Sequence, residues 1–169
     1  MATATIAPAP MPLPLHTRGT SLPKPRAEMT EADWIEFDKT SYKTWYKNAG
    51  LIIFKGDAVL LVQDAKTLKW SFPKGAPEAI DGSDPKKTAI RETYEEVGLV
   101  PETDYTFDNF KIQDFPHNGY YYFATATVSA NPRVNDEEGL QVRWCTRAEV
   151  SANWAQTNLH IKHFVKNYW

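Results

Sequence analysis

Asp84-Pro85 at one end and Gly98 at the other bracket a helix whose charge pattern limits what the rest of the chain can be. Asp84 suits an N-cap, Pro85 the first helical turn, and Gly98 the left-handed residue that ends a helix. Inside it, Glu92, Glu95 and Glu96 stand at i, i+3 and i+4, so three carboxylates leave one face. Like charges at that spacing destabilise the helix unless something positive sits between them. Ala89, Ile90, Thr93 and Val97 supply an apolar flank that can anchor the same helix on a sheet. Dense oxygen ligands select hard cations, Mg2+ or Mn2+ rather than zinc, and carboxylate-held Mg2+ usually works with substrate phosphates. The chemistry implied is displacement at phosphorus. For the three glutamates alone, a solvated acidic face is the competing reading.

The elements around this helix alternate in type. Leu51–Phe54 and Val59–Val62 are apolar runs around Gly56-Asp57 and read as a β-hairpin. Phe107–Phe115 and Tyr120–Val128 read as strands joined by His117-Asn118-Gly119, where Asn-Gly suits a tight turn. Leu140–Trp144 is a further strand. Thr146 and Glu149 form a capping box, as do Thr30 and Asp33 before a short helix carrying Trp34. The last helix carries Leu159, Ile161, Phe164, Val165 and Tyr168. Interleaved strands and helices with hairpins make a mixed sheet covered by helices the natural architecture.

Composition enters where it divides the chain. Six of the twelve prolines fall before residue 28, in a stretch with three basic residues and no acidic one. Residues 1–29 therefore read as a disordered, proline-rich tail, a poor signal peptide and a weak candidate for a transit peptide. The chain nets −2, but without those three cations 16 basic residues face 21 acidic ones, and the folding part nets −5. Any phosphate site must then be a local basic patch. A single cysteine, Cys145, excludes an intramolecular disulfide and a cysteine zinc site, and fits a reducing compartment. No apolar run approaches the roughly 20 residues of a membrane helix. The expected location is the cytoplasm, with the nucleus, or an organelle reached through the tail, as alternatives.

Upstream of the helix runs Trp70-Ser71-Phe72-Pro73-Lys74-Gly75. From Gly75 to Leu99 the chain resembles the Nudix box, the signature of Nudix hydrolases. Gly75, Arg91, Glu92, Glu95, Glu96 and Gly98 match its pattern, and Leu99 fits its last apolar place. Two features depart from it. Fifteen residues separate Gly75 from Arg91, against thirteen in the family, so the loop is two residues longer and its glutamate is replaced or moved. Counting forward places it at Asp81, counting back at Ser83, and Glu78 is a third candidate. Thr93 occupies a place that is usually apolar.

The resemblance implies one Nudix-fold α/β domain over residues 30–169, an α/β/α sandwich with a mixed β-sheet. It implies a pyrophosphohydrolase in which Glu92, Glu95 and Glu96, with the carbonyl of Gly75, hold Mg2+ or Mn2+, and Arg91 braces a glutamate. A further acid from a later loop often helps as ligand or base. The segment Glu137–Trp144 resembles the acid-then-tryptophan stretch of dinucleoside tetraphosphate hydrolases, which makes Glu138 the candidate. The Trp-x-Phe-Pro-Lys-Gly stretch is similar to diphosphoinositol and diadenosine polyphosphate phosphohydrolases, and also to messenger-RNA decapping enzymes. Decapping enzymes usually carry a helical domain before the box, and only about twenty residues separate the tail from the first strand here. The expected substrate is thus a phosphorylated small molecule, a diphosphoinositol polyphosphate or a dinucleoside polyphosphate. Capped RNA or another nucleoside diphosphate-linked compound is the alternative, and a Nudix-fold binding module without turnover is the alternative outside enzymes.

Lys74 is the first candidate for reading phosphate, as a point charge beside Gly75. Lys43, Lys47 and Lys69 are the others expected at the mouth, with Lys66, Lys86 and Lys87 nearby in sequence. Lys86 and Lys87 oppose the dipole at the start of the helix, which asks for a reason. Phe72 and Pro73 are expected to shape the turn. The Tyr120–Phe123 aromatics should pack both faces of one strand, and Trp144 and Trp154 should be structural. No role is assigned to His117, His160 or His163.

Overall fold

The computed structural model describes residues 44–134 and 139–169. The tail at 1–29, the short helix expected around Trp34, and the candidates Lys43, Glu137 and Glu138 lie outside the described residues.

The hairpin forms as expected. Strands β1 (Asn48–Lys55) and β2 (Ala58–Asp64) pair antiparallel at Phe54–Val59 and Lys55–Ala58, across Gly56, whose φ of 62° suits glycine. Beyond that end the two strands part, and residues 70–75 wedge into the gap. Strand β3 (Trp70–Ser71) pairs with β2, and β4 (Lys74–Gly75) pairs with β1, Gly50 opposite Lys74 and Ala49 opposite Gly75. These two-residue strands have no periodicity of their own. The splay of their neighbours creates them.

The wedge fits because Gly50 is bare. A Cβ there would lie 2.2 Å from the carbonyl oxygen of Pro73 and 2.6 Å from Cβ of Lys74. The same carbonyl accepts the Leu51 N–H at 3.0 Å, so it has little room to move. Gly50→Ala should therefore cost about 1–3 kcal/mol as an overpacked site. Urea unfolding checks this, and an unchanged midpoint would show that the wedge is loose.

Helix α1 (Pro85–Val97) follows the wedge. Strand β5 (Tyr105–Phe115) pairs antiparallel with β6 (Gly119–Ala126), and β6 runs parallel to β1. Strand β7 (Gly139–Thr146) pairs antiparallel with β2, and the short helix α2 (Arg147–Ala152) and helix α3 (Leu159–Asn167) complete the chain. Alternation along the strands divides two cores. Leu51, Ile53, Leu60 and Val62 pack with Ala89 and Val97 of α1. Ile52, Val59 and Leu61 pack on the opposite face with Val150 of α2 and Ile161 and Phe164 of α3. This is the α/β/α sandwich around a mixed sheet. Among the described residues, no helix is long and apolar enough to cross a membrane.

Several boundaries differ from expectation. The turn before β6 is a 3-10 turn at Pro116–Asn118 in which His117 and Asn118 take the left-handed conformation, while Gly119 is already extended and begins the strand. β6 ends at Ala126, and Val128 beyond it is almost wholly exposed. In α1 the buried positions are Pro85, Thr88, Ala89, Thr93 and Val97, with Ile90 only half-buried. In α3, Leu159 is half exposed, as is Tyr168 just past its end, and His160 takes a buried place beside Ile161 and Phe164. Phe72 is fully buried in the α3-side core rather than merely shaping a turn. Tyr120, Tyr121 and Phe123 are buried and Tyr122 is half-buried against the α1-side core, so both strand faces are packed. Trp144 packs half-buried, but Trp154 is 41% exposed with Lys162 over its ring, a surface contact rather than core.

Candidate active site

The wedge brings Gly75 beneath the carboxylate face of α1. A Cβ on Gly75 would fall 2.1 Å from the carboxyl carbon of Glu92, so Glu92 occupies the space that only glycine leaves. Glu96 reaches over the neighbouring residue, and its Oε2 accepts the Lys74 backbone N–H at 3.0 Å. Both contacts follow from pairing β4 with β1. That pairing lays the Lys74-Gly75 backbone alongside the helix.

Arg91 answers the question of what sits between the like charges. Its Nη1 donates to Oε1 of Glu92 at 2.6 Å and to Oε2 of Glu95 at 3.0 Å, and lies 3.4 Å from Oε1 of Glu78. Its Nε and Nη2 grip the two oxygens of Asp81 at 3.1 and 2.9 Å, and Nη2 also donates to the carbonyl of Ala76 at 2.8 Å. A bidentate fork of this kind is available to arginine and not to lysine. Burial works against the charged guanidinium, but the hydrogen bond to Asp81 and the charges of Glu92, Asp81 and Glu78 hold it firmly protonated.

Asp81 is therefore the loop acid among the three candidates that holds the arginine fork, with Glu78 beside it. It is 3% exposed. Burial pushes its carboxyl up, yet Arg91, the Glu78 N–H at 2.8 Å and the Thr88 hydroxyl at 2.7 Å bring it below the usual range. Since the Thr88 proton goes to a carboxylate, the Tyr46 hydroxyl must donate to Thr88 at 2.8 Å. The longer loop is accommodated just after Asp81. Gly82 and Ser83 both take the left-handed conformation, and the chain re-enters at the N-cap Asp84. Ser83, the count-back candidate, is one of these two turn residues.

Glu92 has the opposite balance. Burial, its largest influence, raises its carboxyl above the ordinary value, against the pull of Arg91. Thr93 is fully buried at its apolar-type place, with Oγ1 lacking a partner.

Lys69, Lys74 and Glu96 share one cleft of about 240 Å³, lined also by Asp64, Ser71 and Asn158. Two of the lysines expected to read phosphate are thus brought beside Glu96. Lys47 is exposed at the entry to β1, where its backbone N–H bonds the Asn118 carbonyl, and it does not line the cleft. Lys86 has its own explanation. Its ammonium lies 4.1 Å from the centre of the Phe107 ring, a cation–π contact that offsets its place at a helix start.

The donor set fits a hard divalent cation. Glu92, Glu95, Glu96 and the Gly75 carbonyl offer oxygen only, on one open side, beside a glycine that no other residue could replace. Among the described residues no three acidic, His or Cys side chains are gathered so as to hold a metal ion as they stand: Glu92 and Glu95 are held by Arg91, and Glu96 by the Lys74 N–H. An open row suits Mg2+, which keeps several waters and takes phosphate oxygens as further ligands.

Between β6 and α3 lies a buried polar pair that the sequence did not single out. Nδ1 of His160 and the Tyr121 hydroxyl are 2.5 Å apart, and Nε2 of His160 is 2.9 Å from the Pro116 carbonyl. Burial pushes His160 down to about 4, the Pro116 carbonyl opposes this, and the charges of Lys74, His117 and His163 add to the lowering. The native imidazole is neutral. Between the ordinary value of 6.5 and about 4, the unfolded chain binds a proton that the native His160 refuses. Stability should fall as pH drops through that window, by up to about 3 kcal/mol, and no further below it. His160→Gln should flatten this slope in urea unfolding at pH 7, 5 and 4. An unchanged slope would assign the acid sensitivity to other groups.

The NUDIX domain family model matches residues 44–165, and the chain belongs to that family. Over 77 residues it is 29% identical to the nucleoside triphosphate pyrophosphatase/Nudix hydrolase fusion protein of Bifidobacterium longum (strain NCC 2705), covering 44% of this chain and 16% of that protein. The chain thus matches about a sixth of the length of that curated relative. Among solved structures it resembles an Ap4A hydrolase of C. elegans, described as a binary complex, with a TM-score of 0.55, 22% identity, and coverage of 72% of this chain and 93% of that one. A NUDIX hydrolase from Nitrosomonas europaea gives a TM-score of 0.57 at 21% identity, covering 75% and 73%. At such identities the likeness is one of fold.

Proposed function

We propose that the chain is a metal-dependent pyrophosphohydrolase that cleaves a diphosphate linkage, with diphosphoinositol polyphosphates or dinucleoside polyphosphates as its substrates. The observation that carries this is the Arg91 network, which gathers Glu92 and Glu95 on one nitrogen while Glu96 sits on the Lys74 N–H beside Gly75. A solvated acidic face has no need of a buried, five-donor brace.

Glu92, Glu95, Glu96 and the Gly75 carbonyl would hold Mg2+ or Mn2+, which supplies Lewis acidity toward the phosphates and a more reactive water when bound. Arg91 keeps the carboxylates in register without neutralising all of them. Lys74 and Lys69 bind phosphate oxygens across the cleft from Glu96. Two lysines in one cleft favour a substrate with several phosphates over a nucleotide sugar. The Ap4A hydrolase fold neighbour is consistent with a dinucleoside polyphosphate.

Lys74→Ala should raise KM for inositol pyrophosphates and diadenosine polyphosphates by about tenfold, the effect of one lost charge-assisted contact, and change nucleotide sugars little. Steady-state kinetics on both classes checks this. An equal loss on both would remove Lys74 from phosphate reading.

A further inference from the structure

Thr88, Arg91 and Glu92 stand at i, i+3 and i+4 of α1 and share one face. Two of them grip the same carboxylate. Arg91 holds Asp81 through Nε and Nη2, and Thr88 donates its hydroxyl to Oδ2 at 2.7 Å. A helical threonine ordinarily turns its hydroxyl back to the carbonyl four residues earlier. Here that carbonyl, of Asp84, lies at 3.5 Å, and the proton goes to Asp81 instead. The Tyr46 hydroxyl backs Thr88 at 2.8 Å from 42 residues earlier in the chain. Tyr46 is itself held: its ring meets Trp45 edge-on, and the Lys47 N–H beside it donates to the Asn118 carbonyl. Tyr46, Thr88 and Asp81 are all buried, so water does not stand in for a lost hydroxyl. Asp81 reaches α1 along the chain only through the left-handed turn at Gly82 and Ser83. The Thr88 bond ties the acid of this longer loop directly back onto the helix.

We infer that Tyr46 and Thr88 are positioning residues for the carboxylate row: they fix Asp81, Asp81 fixes the Arg91 guanidinium, and the guanidinium sets the places of Glu92 and Glu95. This rests on the reading of that row as a metal site. Every step is a contact. From Thr88 the chain passes to Asp81 at 2.7 Å, from Asp81 to Arg91 at 2.9 and 3.1 Å, and from Arg91 to Glu92 at 2.6 Å and Glu95 at 3.0 Å. Without the Thr88 hydroxyl, Asp81 keeps the Glu78 N–H but loses its tie to the first turns of α1. The arginine fork then follows the loop, and the two glutamates lose their fixed spacing. Tyr46 acts one bond further out, by polarising the hydroxyl that Thr88 gives to Asp81. Neither residue touches the reacting atoms.

The test is Mn2+ affinity of the full chain, followed by electron paramagnetic resonance well below the melting temperature, which is measured alongside. Thr88→Val keeps the shape and removes the donor. It should weaken Mn2+ binding about tenfold, the lower end of what losing an outer partner does to a metal site. Thr88→Ser restores the hydroxyl and should bind like the parent. Tyr46→Phe leaves the Thr88–Asp81 bond in place and should cost about threefold, less than one full hydrogen bond to a charged group. A purely structural role gives a different pattern, with melting lowered in Thr88→Val and Mn2+ affinity unchanged. That pattern overturns the inference. So does a loss in Thr88→Ser as large as in Thr88→Val, which would assign the effect to packing of the methyl group. If Thr88→Val does not fold, Tyr46→Phe carries the test alone. A threefold loss in it supports the role, and parent-like affinity overturns it. Glu92→Gln and Glu95→Gln separate the two levels. If Mn2+ binding survives both unchanged, the row is not a metal site and the positioning role falls with it. If binding is lost there but Thr88→Val binds like the parent, only the positioning role is contradicted.

Discussion

Arg91→Met is expected to destabilise the fold by about 3–5 kcal/mol, the cost of removing one partner from a buried ion pair. The size follows from what remains. Asp81 is 3% exposed, and the side chains of Glu92 and Glu95 are 14% and 25% exposed. Each would keep its charge near the others with no cation among them. The pH dependence should change sign at Asp81. In the parent its carboxyl is held low, so its contribution is complete above the ordinary value of 3.8 and is lost as pH falls through the lower native value. Without Arg91, burial dominates and the carboxyl titrates high, so the variant regains stability as pH falls. The gap between the two proteins should narrow toward pH 4 in urea unfolding. A constant gap would mean that Asp81 is not the principal partner.

Replacing any one of Glu92, Glu95 and Glu96 by glutamine should lower turnover by about 10² or more, since metal and general-base contributions are each of that size. The fold should survive. Glu92→Gln is the most informative, because burial already disfavours its charge. That variant should melt no lower than the parent while losing activity, which separates chemistry from packing. If Glu95→Gln and Glu96→Gln both kept full activity, the assignment of the carboxylate row as a metal site would fail.

Much of this site was readable in the chain because local rules set it. Asp84-Pro85 and Gly98 mark the ends of α1, and the i, i+3, i+4 spacing alone puts Glu92, Glu95 and Glu96 together. The Gly56 hairpin and the Thr146–Glu149 capping box are equally local. What was missed depends on partners far away in sequence. Strands β3 and β4 exist only because β1 and β2 part. Spacing left Glu78, Asp81 and Ser83 open, and Asp81 stands out only once Thr88, Arg91 and the Glu78 N–H converge on it. By sequence Lys86 reads as available for phosphate, but its ammonium sits over the Phe107 ring. His160 offered no signal beyond its place at helical spacing beside Ile161 and Phe164, because its partners Tyr121 and Pro116 lie 39 and 44 residues away. The tail, Lys43 and Glu138 are not among the described residues, so their expected roles are to be tested in solution.

Cleavage of a diphosphate linkage by this carboxylate row with a divalent cation is open to a direct test. Phosphorus NMR of the full chain incubated with an inositol pyrophosphate, diadenosine tetraphosphate, capped RNA and a nucleotide sugar addresses it directly. With Mg2+ or Mn2+, the diphosphate resonances of the first two should disappear fastest, and chelation by EDTA should stop the reaction. Diphosphate signals left intact by the parent chain across the whole panel with both metals, or cleavage that Glu96→Gln and EDTA leave undiminished, would contradict it.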